Sequence, residues 1–453
     1  MLGTHVNERK FKDDVLAGKN GFCLIYGRKG CESSELALSF VKASGSSIYY
    51  RAADGSEDVN QRFFGNVTAE KYSLLHVPET YKDAFEMIAL KETENVVLAF
   101  DRAECILKKD LTFFEELMSF MKKNDSLNIH VFFATDDVNW AFSEYDELVG
   151  AYSKLDLGKC RSEELTFLEM VRIFPNKPIR EIIQMYGITG GVADYIPCWS
   201  KKLTLKESVI RHVLSPRGYL YHEAEDFLHT RLRETSVYET ILSALASGVN
   251  KLNDIYKLTG YSRAKISVYM KNLASFGVVS KTESFETGGW ENAKKGVYTI
   301  TDTFIHFWFT FVYPHQSALS MVSPETFYER FIEPGLDEYM NQYFVKVCRE
   351  YLALVEQSGS LPIVTSKEGT WIGKKGRIDI ILQNDVRENV VGYCSWSEKN
   401  MSRAHLDELE ESMKQARVKA VKKYMFSAGT FDHDLTAYAQ NDPEIELVDM
   451  NEL

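Results

Sequence analysis

Short apolar runs recur through the first part of the chain, and a polar or amphipathic stretch follows each of them. The four runs cover residues 22–26, 47–50, 96–100 and 129–134. Apolar runs of this length, separated by longer amphipathic stretches, are typical of buried parallel strands joined by helices. We therefore predict an α/β core with a parallel sheet over residues 1–160.

A more helical pattern follows over residues 161–205. Residues 162–173 show helical spacing, and a short amphipathic stretch from residue 182 leads to Gly190 and Gly191. A glycine pair at this place is typical of a helix cap followed by a turn, and a conformational hinge is the alternative. We predict a small helical domain here and favour the cap and turn.

The pattern over residues 206–315 predicts three helices and a β-hairpin. The helices are expected at residues 238–246, 252–258 and 262–276, with Ser262 as the N-cap of the third. The hairpin would pair residues 278–281 with 297–300 around a tip at residues 288–290. Three helices followed by a β-wing are typical of a winged helix-turn-helix.

A second α/β domain is predicted over residues 325–453. The expected elements are a helix at 336–354, strands near 371–373, 378–382 and 390–396, and a helix at 402–422. The last helix carries dense mixed charge, which predicts a solvated face with an i,i+4 pair between Glu410 and Lys414. The fold class is thus a multidomain α/β protein.

Composition narrows the class of protein. The chain has 453 residues, 45% of them hydrophobic and 26% charged, which is ordinary for two to four globular domains. A net charge of −12 argues against a nucleic-acid coat over the whole surface but leaves room for a local basic face. Seven scattered cysteines predict a reduced, cytoplasmic protein without a zinc site. No apolar run is long enough for a membrane span.

The first candidate site is the turn that follows the first apolar run. It resembles the phosphate loop G-x-x-x-x-G-K-[S/T], whose glycines let backbone N–H groups approach phosphates. Gly27 and Ser34 match, but Glu32 replaces the second glycine and Ser33 replaces the lysine. The candidate nucleotide-binding residues of this loop are Gly27, Arg28, Lys29, Gly30, Ser33 and Ser34.

Two further residues would complete a nucleotide site. Asp101 ends the third apolar run, where a carboxylate would hold hydrated Mg²⁺. The glutamate base expected next is Arg102, which stays protonated and cannot act as a base, so Glu104 is the displaced substitute to consider. Thr135 ends the fourth run, where it is either a γ-phosphate sensor or a strand-end cap.

These motifs resemble a known family. Residues 26–36 are similar, register for register, to the loop Y-G-R-R-R-V-G-K-T-E-L of the archaeal-type ATPases of the AAA/STAND class. Residues 186–193 are similar to their lid motif Y-x-I-T-G-G-x-P, with Ala193 in place of proline. Residues 298–312 match the hallmark Y-x-I-x-D-x-F-[L/I]-x-F-W-F-x-F of the uncharacterised domain that follows this ATPase. The resemblance implies a P-loop ATPase core with a helical lid, and ATP and Mg²⁺ as cofactors. By physics alone the aromatic run is core or interdomain packing.

The third predicted helix of the 206–315 region offers a second candidate site. Its outward residues, suited to phosphate and base-edge contacts, are Arg263, Lys265, Lys271 and Asn272. Residues 231–285 contain eight Lys or Arg and four Asp or Glu, a local excess of four positive charges. Duplex DNA is therefore one candidate partner. Internal packing or binding of an unidentified protein partner is the equal alternative.

The order of elements after residue 325 resembles the PD-(D/E)xK nuclease core. Intact sites combine an aspartate on one strand with E-x-K on the next, which bind Mg²⁺ and steady the attacking hydroxide. This chain keeps Asp379, but Tyr393 and Ser395 replace the glutamate and lysine, and Val345 replaces an expected helix acid. We expect a degenerate, inactive nuclease-like domain in which Asp379 is a structural remnant.

Together these motifs predict a degenerate member of the ATPase family. Because two catalytic sets have decayed in different domains, we expect a regulatory or scaffolding protein that does not hydrolyse ATP. An active ATPase that uses Arg28 or Lys29 with Glu104, and a DNA-binding regulator, are the alternatives.

Overall fold

The computed structural model describes residues 15, 17, 20–42, 47–285, 296–373 and 376–453. The chain divides into two compact units. The first contains Met1–Glu164 and Val192–Asp194, and the second contains Leu165–Gly191 and Tyr195–Leu453. The chain therefore enters the second unit, returns for three residues and leaves again.

The first unit contains a parallel sheet of five strands in the order β2-β3-β4-β1-β5. The strands are β1 (Gly21–Tyr26), β2 (Ser47–Arg51), β3 (Asn95–Asp101), β4 (Asn128–Thr135) and β5 (Asp156–Arg161). The four predicted strands are confirmed. The pattern missed β5 because this edge strand is mostly half-buried and lacks a continuous apolar run.

Helices cover this sheet and bury its aromatic core. They are α1 (Ser33–Lys42), α2 (Glu57–Tyr72), α3 (Tyr81–Lys91), α4 (Glu104–Leu107), α5 (Leu111–Lys123), α6 (Val138–Ser143) and α7 (Tyr145–Val149). Phe100 and Phe113 meet edge to face at 4.9 Å, and Phe22 meets Phe114 similarly at 5.4 Å. These contacts pack α5 against β1 and β3.

The second unit begins with helices α8 (Phe167–Ile173), α9 (Ile179–Thr189), α10 (Leu205–Val209) and α11 (Glu223–Arg231). The helix predicted at 162–173 begins only at Phe167, because Thr166 caps it by accepting from the Glu169 N–H. Gly190 ends α9 at a φ of 65°, as expected for a cap. Gly191 packs directly against the backbone of Leu165, because a Cβ at this position would lie 1.8 Å from the Leu165 carbonyl oxygen.

Three helices and a hairpin follow. They are α12 (Thr235–Ala246), α13 (Leu252–Thr259), α14 (Arg263–Ser275) and the antiparallel strands β6 (Val279–Thr282) and β7 (Val297–Ile300). Ser262 caps α14 by accepting from the Lys265 N–H, as predicted. The predicted tip at residues 288–290 lies outside the described residues.

The aromatic run at residues 298–312 contributes to the core, as its aromatic side chains predicted. It spans α15 (Thr303–Phe307) and a π-helical turn, Trp308–Val312, and buries Phe304, Phe307 and Trp308. Three further helices are α16 (Gln316–Leu319), α17 (Pro324–Phe327) and the long α18 (Glu333–Gln357). Helix α18 packs on α9, where the Tyr339 hydroxyl donates to the Gly187 carbonyl over 3.1 Å.

The C-terminal part contains a mixed sheet in the order β14-β12-β10-β9-β8. Its elements are β8 (Lys367–Ile372), β9 (Arg377–Gln383), β10 (Asn389–Ser395), α19 (Arg403–Ala416), β12 (Ala420–Ser427), α20 (His433–Asn441) and β14 (Ile445–Asp449). The short strands β11 (Asn400–Met401) and β13 (Thr430–Phe431) pair beside it.

The helix predicted at 402–422 was too long. It ends at Ala416 because Arg417 adopts a left-handed cap with a φ of 57°, and Lys422 belongs to a strand. The predicted pairing was also wrong, because Glu410 binds Lys423 at 2.9 Å and Lys414 lies 3.8 Å from Glu411. Within the described ranges, none of the helices combines the length and apolar character that a bilayer crossing requires.

Candidate functional site

The loop that joins β1 to α1 contains two residues with positive φ. Gly30 has a φ of 88° and Glu32 a φ of 58°, so two of its residues are left-handed. Glutamate pays about 1–2 kcal/mol for this conformation, which glycine adopts freely. Glu32 stands where the motif has its second glycine. Glu32 therefore adopts a conformation that suits glycine better than glutamate.

The loop is closely packed on neighbouring backbone of the same unit. A Cβ at Gly27 would lie 2.7 Å from the Ser162 carbonyl oxygen, and one at Gly30 would lie 2.7 Å from the Val192 side chain. The Asp194 N–H donates to the Gly30 carbonyl over 3.2 Å, and the Ser162 hydroxyl donates to the Cys31 carbonyl. Space therefore favours glycine at both positions, and at Gly30 the left-handed conformation does so as well.

The loop places no lysine where the motif has one. Ser33 begins α1 and is 5% exposed. Arg28 pairs with Glu164, with 2.7 Å between Nη1 and Oε1, so its charge is already compensated. Lys29 is exposed on the turn. The two cations considered as substitutes thus differ in exposure: Arg28 is partly buried, and Lys29 is exposed.

Ser34 and Asp101 are brought together, as the two motifs require. The Ser34 hydroxyl donates to Oδ1 of Asp101 over 2.6 Å, and the carboxylate is 1% exposed. Ser34 lies in the first turn of α1, and Asp101 is the last residue of β3. This edge of a parallel sheet is where ligands of open α/β folds bind.

Two residues that sequence reasoning missed also hold Asp101. The Tyr49 hydroxyl donates to Oδ2 over 2.7 Å, and Nε of Arg51 lies 3.5 Å from the same oxygen. Burial and the hydrogen bond to Asp101 raise the pKa of Tyr49, which keeps the phenol protonated as a donor. Both residues lie on β2, whose Arg51 pairs in register with Asp101. That adjacency depends on strand order, which the sequence does not show.

A second pair forms beside this cluster. The Thr135 hydroxyl donates to Oε2 of Glu104 over 2.6 Å, and burial raises the pKa of the Glu104 carboxyl. Thr135 also accepts the Asp137 N–H over 3.0 Å, which is how a strand-end cap acts. Arg102 occupies the position after Asp101 with a φ of 54°. The hydroxyl and the carboxyl are therefore partners of each other.

The charges around Ser34 and Asp101 do not suit a magnesium ion. Mg²⁺ requires oxygen ligands in near-octahedral geometry, and Ser34 and Asp101 supply the expected types. The Arg51 guanidinium, however, already lies against Oδ2, and like charges within a few ångström repel. The loop also lacks the lysine that would accompany the metal. The residues present therefore fit a phosphate group better than a phosphate group with its metal.

The candidate DNA-contacting residues lie on α14 with different neighbours. Arg263 stacks over the Tyr256 ring at 4.4 Å. Lys265 lies 3.8 Å from Glu234. The four residues are exposed, and Asn272 donates to the Tyr238 hydroxyl over 2.9 Å. Lys271 is exposed on the same helix.

Asp379 is held inside the C-terminal sheet. Its Oδ2 accepts the Cys394 N–H over 3.0 Å, and Oδ1 lies 2.7 Å from Nε of Arg377. Burial raises the pKa of this carboxyl, against the lowering effect of Arg377. Val345, at the place of the expected helix acid, is buried. Across the part of the chain that the structure describes, no three His, Cys, Asp or Glu side chains are grouped to hold a metal ion.

Comparisons with known proteins give partial matches. Residues 308–409 match the family model DUF234, described as "Archaea bacterial proteins of unknown function", which supports the predicted uncharacterised C-terminal region. An uncharacterized protein of Methanocaldococcus jannaschii is 24% identical over 397 residues, which are 85% of each chain.

Similar solved structures include the Walker-type ATPase of Pyrococcus abyssi, at 15% identity and a TM-score of 0.48 over 68% of this chain and 95% of that one. The Aeropyrum pernix ORC2 protein with ADPNP and ADP matches at 13% identity and a TM-score of 0.44 over 70% and 92%.

Proposed function

We propose that this chain is a regulatory or scaffolding protein of P-loop ATPase ancestry that binds ATP at residues 27–34 without hydrolysing it. The observation that carries the proposal is the 2.6 Å hydrogen bond between Ser34 and Asp101, in a site where Ser33 and Arg102 replace the lysine and the base. The loop keeps Gly27 and Ser34 of the motif and lacks its second glycine and its lysine.

Binding is supported by the backbone of the loop. Helix α1 has ten residues, and its N-terminal N–H groups follow directly on the left-handed turn. Such an end favours a phosphate through unsatisfied N–H groups and the helix dipole. We infer that this backbone supplies most of the affinity, because the lysine is absent.

Loss of hydrolysis is supported by the state of the two possible bases. Arg102 is a cation at any physiological pH. The Glu104 carboxyl is 7% exposed, and the Thr135 hydroxyl already donates to its Oε2 over 2.6 Å, so an attacking water would have to displace that hydroxyl to reach this oxygen. By the same reasoning we expect no nuclease activity from Asp379, whose oxygens are both engaged.

Calorimetric titration with ATP and a phosphate-release assay together test this proposal. We expect saturable binding with no release above the blank. Ser34→Ala should weaken binding at least tenfold, because Asp101 would then face the phosphates with one compensating donor fewer. Ser39→Ala, on the same helix away from the loop, is the matched control, since Ser39 only donates to the Leu36 carbonyl. Turnover, or no binding, would overturn the proposal.

DNA binding is a second candidate, favoured by one observation on α14. Arg263, Ala264, Ser267, Val268 and Lys271 are exposed at spacings of one helical turn, so cations flank a small-residue stripe. If helices α12–α14 and the hairpin form a winged helix, this stripe is the surface that would enter a major groove.

A mobility-shift titration at low salt tests this second candidate. The Arg263→Glu, Lys271→Glu variant should weaken duplex binding at least tenfold and reduce its dependence on salt. Lys399→Glu, another exposed lysine, is the matched control. If both variants bind duplex DNA with equal affinity, α14 is not the DNA-binding surface.

A further inference from the structure

The Asp101 carboxylate accepts three hydrogen bonds from its own unit and forms one ion pair with it. Oδ1 accepts the Ser34 hydroxyl over 2.6 Å and the Arg102 N–H over 2.8 Å. Oδ2 accepts the Tyr49 hydroxyl over 2.7 Å and lies 3.5 Å from Nε of Arg51. An ionised carboxylate offers about four lone-pair sites. The chain itself therefore fills three of these sites and places a guanidinium near Oδ2.

Strand pairing fixes Tyr49 and Arg51 at this place. The register of β2 on β3 sets Arg51 against Asp101, and Tyr49 lies two residues earlier. Residues two apart on a strand point to the same face of the sheet. The two donors thus approach Asp101 from one side, while Ser34 approaches from α1. Neither donor depends on the phosphate loop for its position.

A divalent cation at Asp101 would meet a positive charge already present. Magnesium keeps much of its hydration shell and demands regular octahedral geometry, so it competes poorly for an oxygen that accepts a phenol hydroxyl and has a guanidinium nitrogen 3.5 Å away. Arg51 carries one of the charges that the metal would bring. Its side chain is 64% exposed, so its remaining N–H groups are accessible to a polyphosphate in solution.

We propose that Tyr49 and Arg51 replace the divalent cation at this site, so that the loop binds a nucleoside polyphosphate without magnesium. This inference rests on the proposed function, because it specifies how the same loop receives its ligand. Arg51 neutralises Asp101 and faces the phosphates, and Tyr49 holds the carboxylate in place. Both are positioning and binding residues, with no part in a chemical step.

The test compares ATP binding by calorimetry in excess EDTA and in excess Mg²⁺. The unmodified protein should bind with affinities that agree within about threefold, which is about 0.65 kcal/mol. The Tyr49→Phe, Arg51→Gln variant should lose at least tenfold in EDTA and recover when Mg²⁺ is added. Arg62→Gln, another exposed arginine of this unit, should behave as the unmodified protein.

The possible results separate this inference from the proposed function. Binding that requires Mg²⁺ in the unmodified protein overturns the inference and leaves the proposed function standing. No binding in either condition overturns both. If the double variant does not fold, Arg51→Gln alone decides the matter, because its side chain is mostly exposed. An affinity in EDTA equal to that of the unmodified protein would then overturn the role of Arg51.

Discussion

The Ser34 hydroxyl and the Asp101 carboxylate are joined by a hydrogen bond of 2.6 Å across 67 residues of sequence. The bond links the first turn of α1 to the end of β3, two elements that do not neighbour each other along the chain. It exists although the lysine next to Ser34 and the glutamate next to Asp101 are both replaced. The contact between these two positions thus does not depend on a lysine at residue 33 or a glutamate at residue 102.

Replacing Glu32 by glycine should not destabilise the protein. The left-handed conformation costs glutamate about 1–2 kcal/mol, and glycine loses about 0.5–1 kcal/mol through its freer unfolded chain. We expect the free energy of unfolding in urea to be unchanged or higher by up to about 1 kcal/mol. Glu35→Gly, one turn later in α1, should lower it by about 1 kcal/mol. Equal losses in the two variants would show that Glu32 is not strained.

Rebuilding the motif should raise nucleotide affinity. Glu32→Gly with Ser33→Lys turns the loop into G-R-K-G-C-G-K-S, which removes a repelling carboxylate and adds a cation beside the phosphates. We expect ATP to bind at least tenfold more tightly, about 1.4 kcal/mol, in a calorimetric titration. Glu32→Gly with Ser39→Lys adds the same charge elsewhere on α1 and should gain less. A rebuilt loop with unchanged affinity would argue against phosphate binding here.

Glu350 should be important for the stability of the second unit. Its Oε1 accepts the Tyr186 hydroxyl over 2.6 Å, and its Oε2 accepts the Phe167 N–H over 2.7 Å, so it connects α18 with α8 and α9. Glu350→Ala leaves a buried hydroxyl and an N–H without this acceptor, which should cost about 2–3 kcal/mol in chemical unfolding. Glu338→Ala, at an exposed position of α18, should cost less than about 0.5 kcal/mol.

The imidazole of His306 should make stability depend on pH. Burial lowers its pKa from 6.5 to about 4, while Nδ1 lies 2.8 Å from the Tyr343 hydroxyl. The unfolded chain then binds the proton more readily, so this contribution is complete above pH 6.5 and is lost as the pH falls towards 4. It amounts to at most about 3 kcal/mol.

Unfolding in urea at several pH values checks this prediction. The difference in unfolding free energy between the unmodified protein and His306→Gln should change between pH 6.5 and 4 and be constant above pH 7. A difference that stays constant over the whole range would contradict a buried neutral imidazole.

The sequence located the phosphate loop and Asp101 because both sit at the ends of clear apolar runs. The contact between Ser34 and Asp101 agrees with that interpretation, whereas their roles in binding are our proposal. Tyr49 and Arg51 could not be found in this way, since their importance depends on β2 lying beside β3. Neither strand order nor the register between strands can be read from the spacing of apolar residues along one chain.

Element ends were predicted less well than elements. The pattern of residues 402–422 stays amphipathic across two elements, so only the left-handed Arg417 reveals where the helix stops. Positive φ at a residue other than glycine leaves little trace in a sequence. The same difficulty hid the conformation of Glu32, which looks from the sequence like a simple loss of the motif.

The short return of the chain at Val192–Asp194 matters for anyone who shortens this protein. A fragment that stops at Glu164 would contain every strand of the first sheet and the whole phosphate loop. It would lack the Val192 side chain beside Gly30 and the Asp194 N–H that donates to the Gly30 carbonyl. Nucleotide measurements on such a truncated form would therefore report on a loop that has lost part of its support.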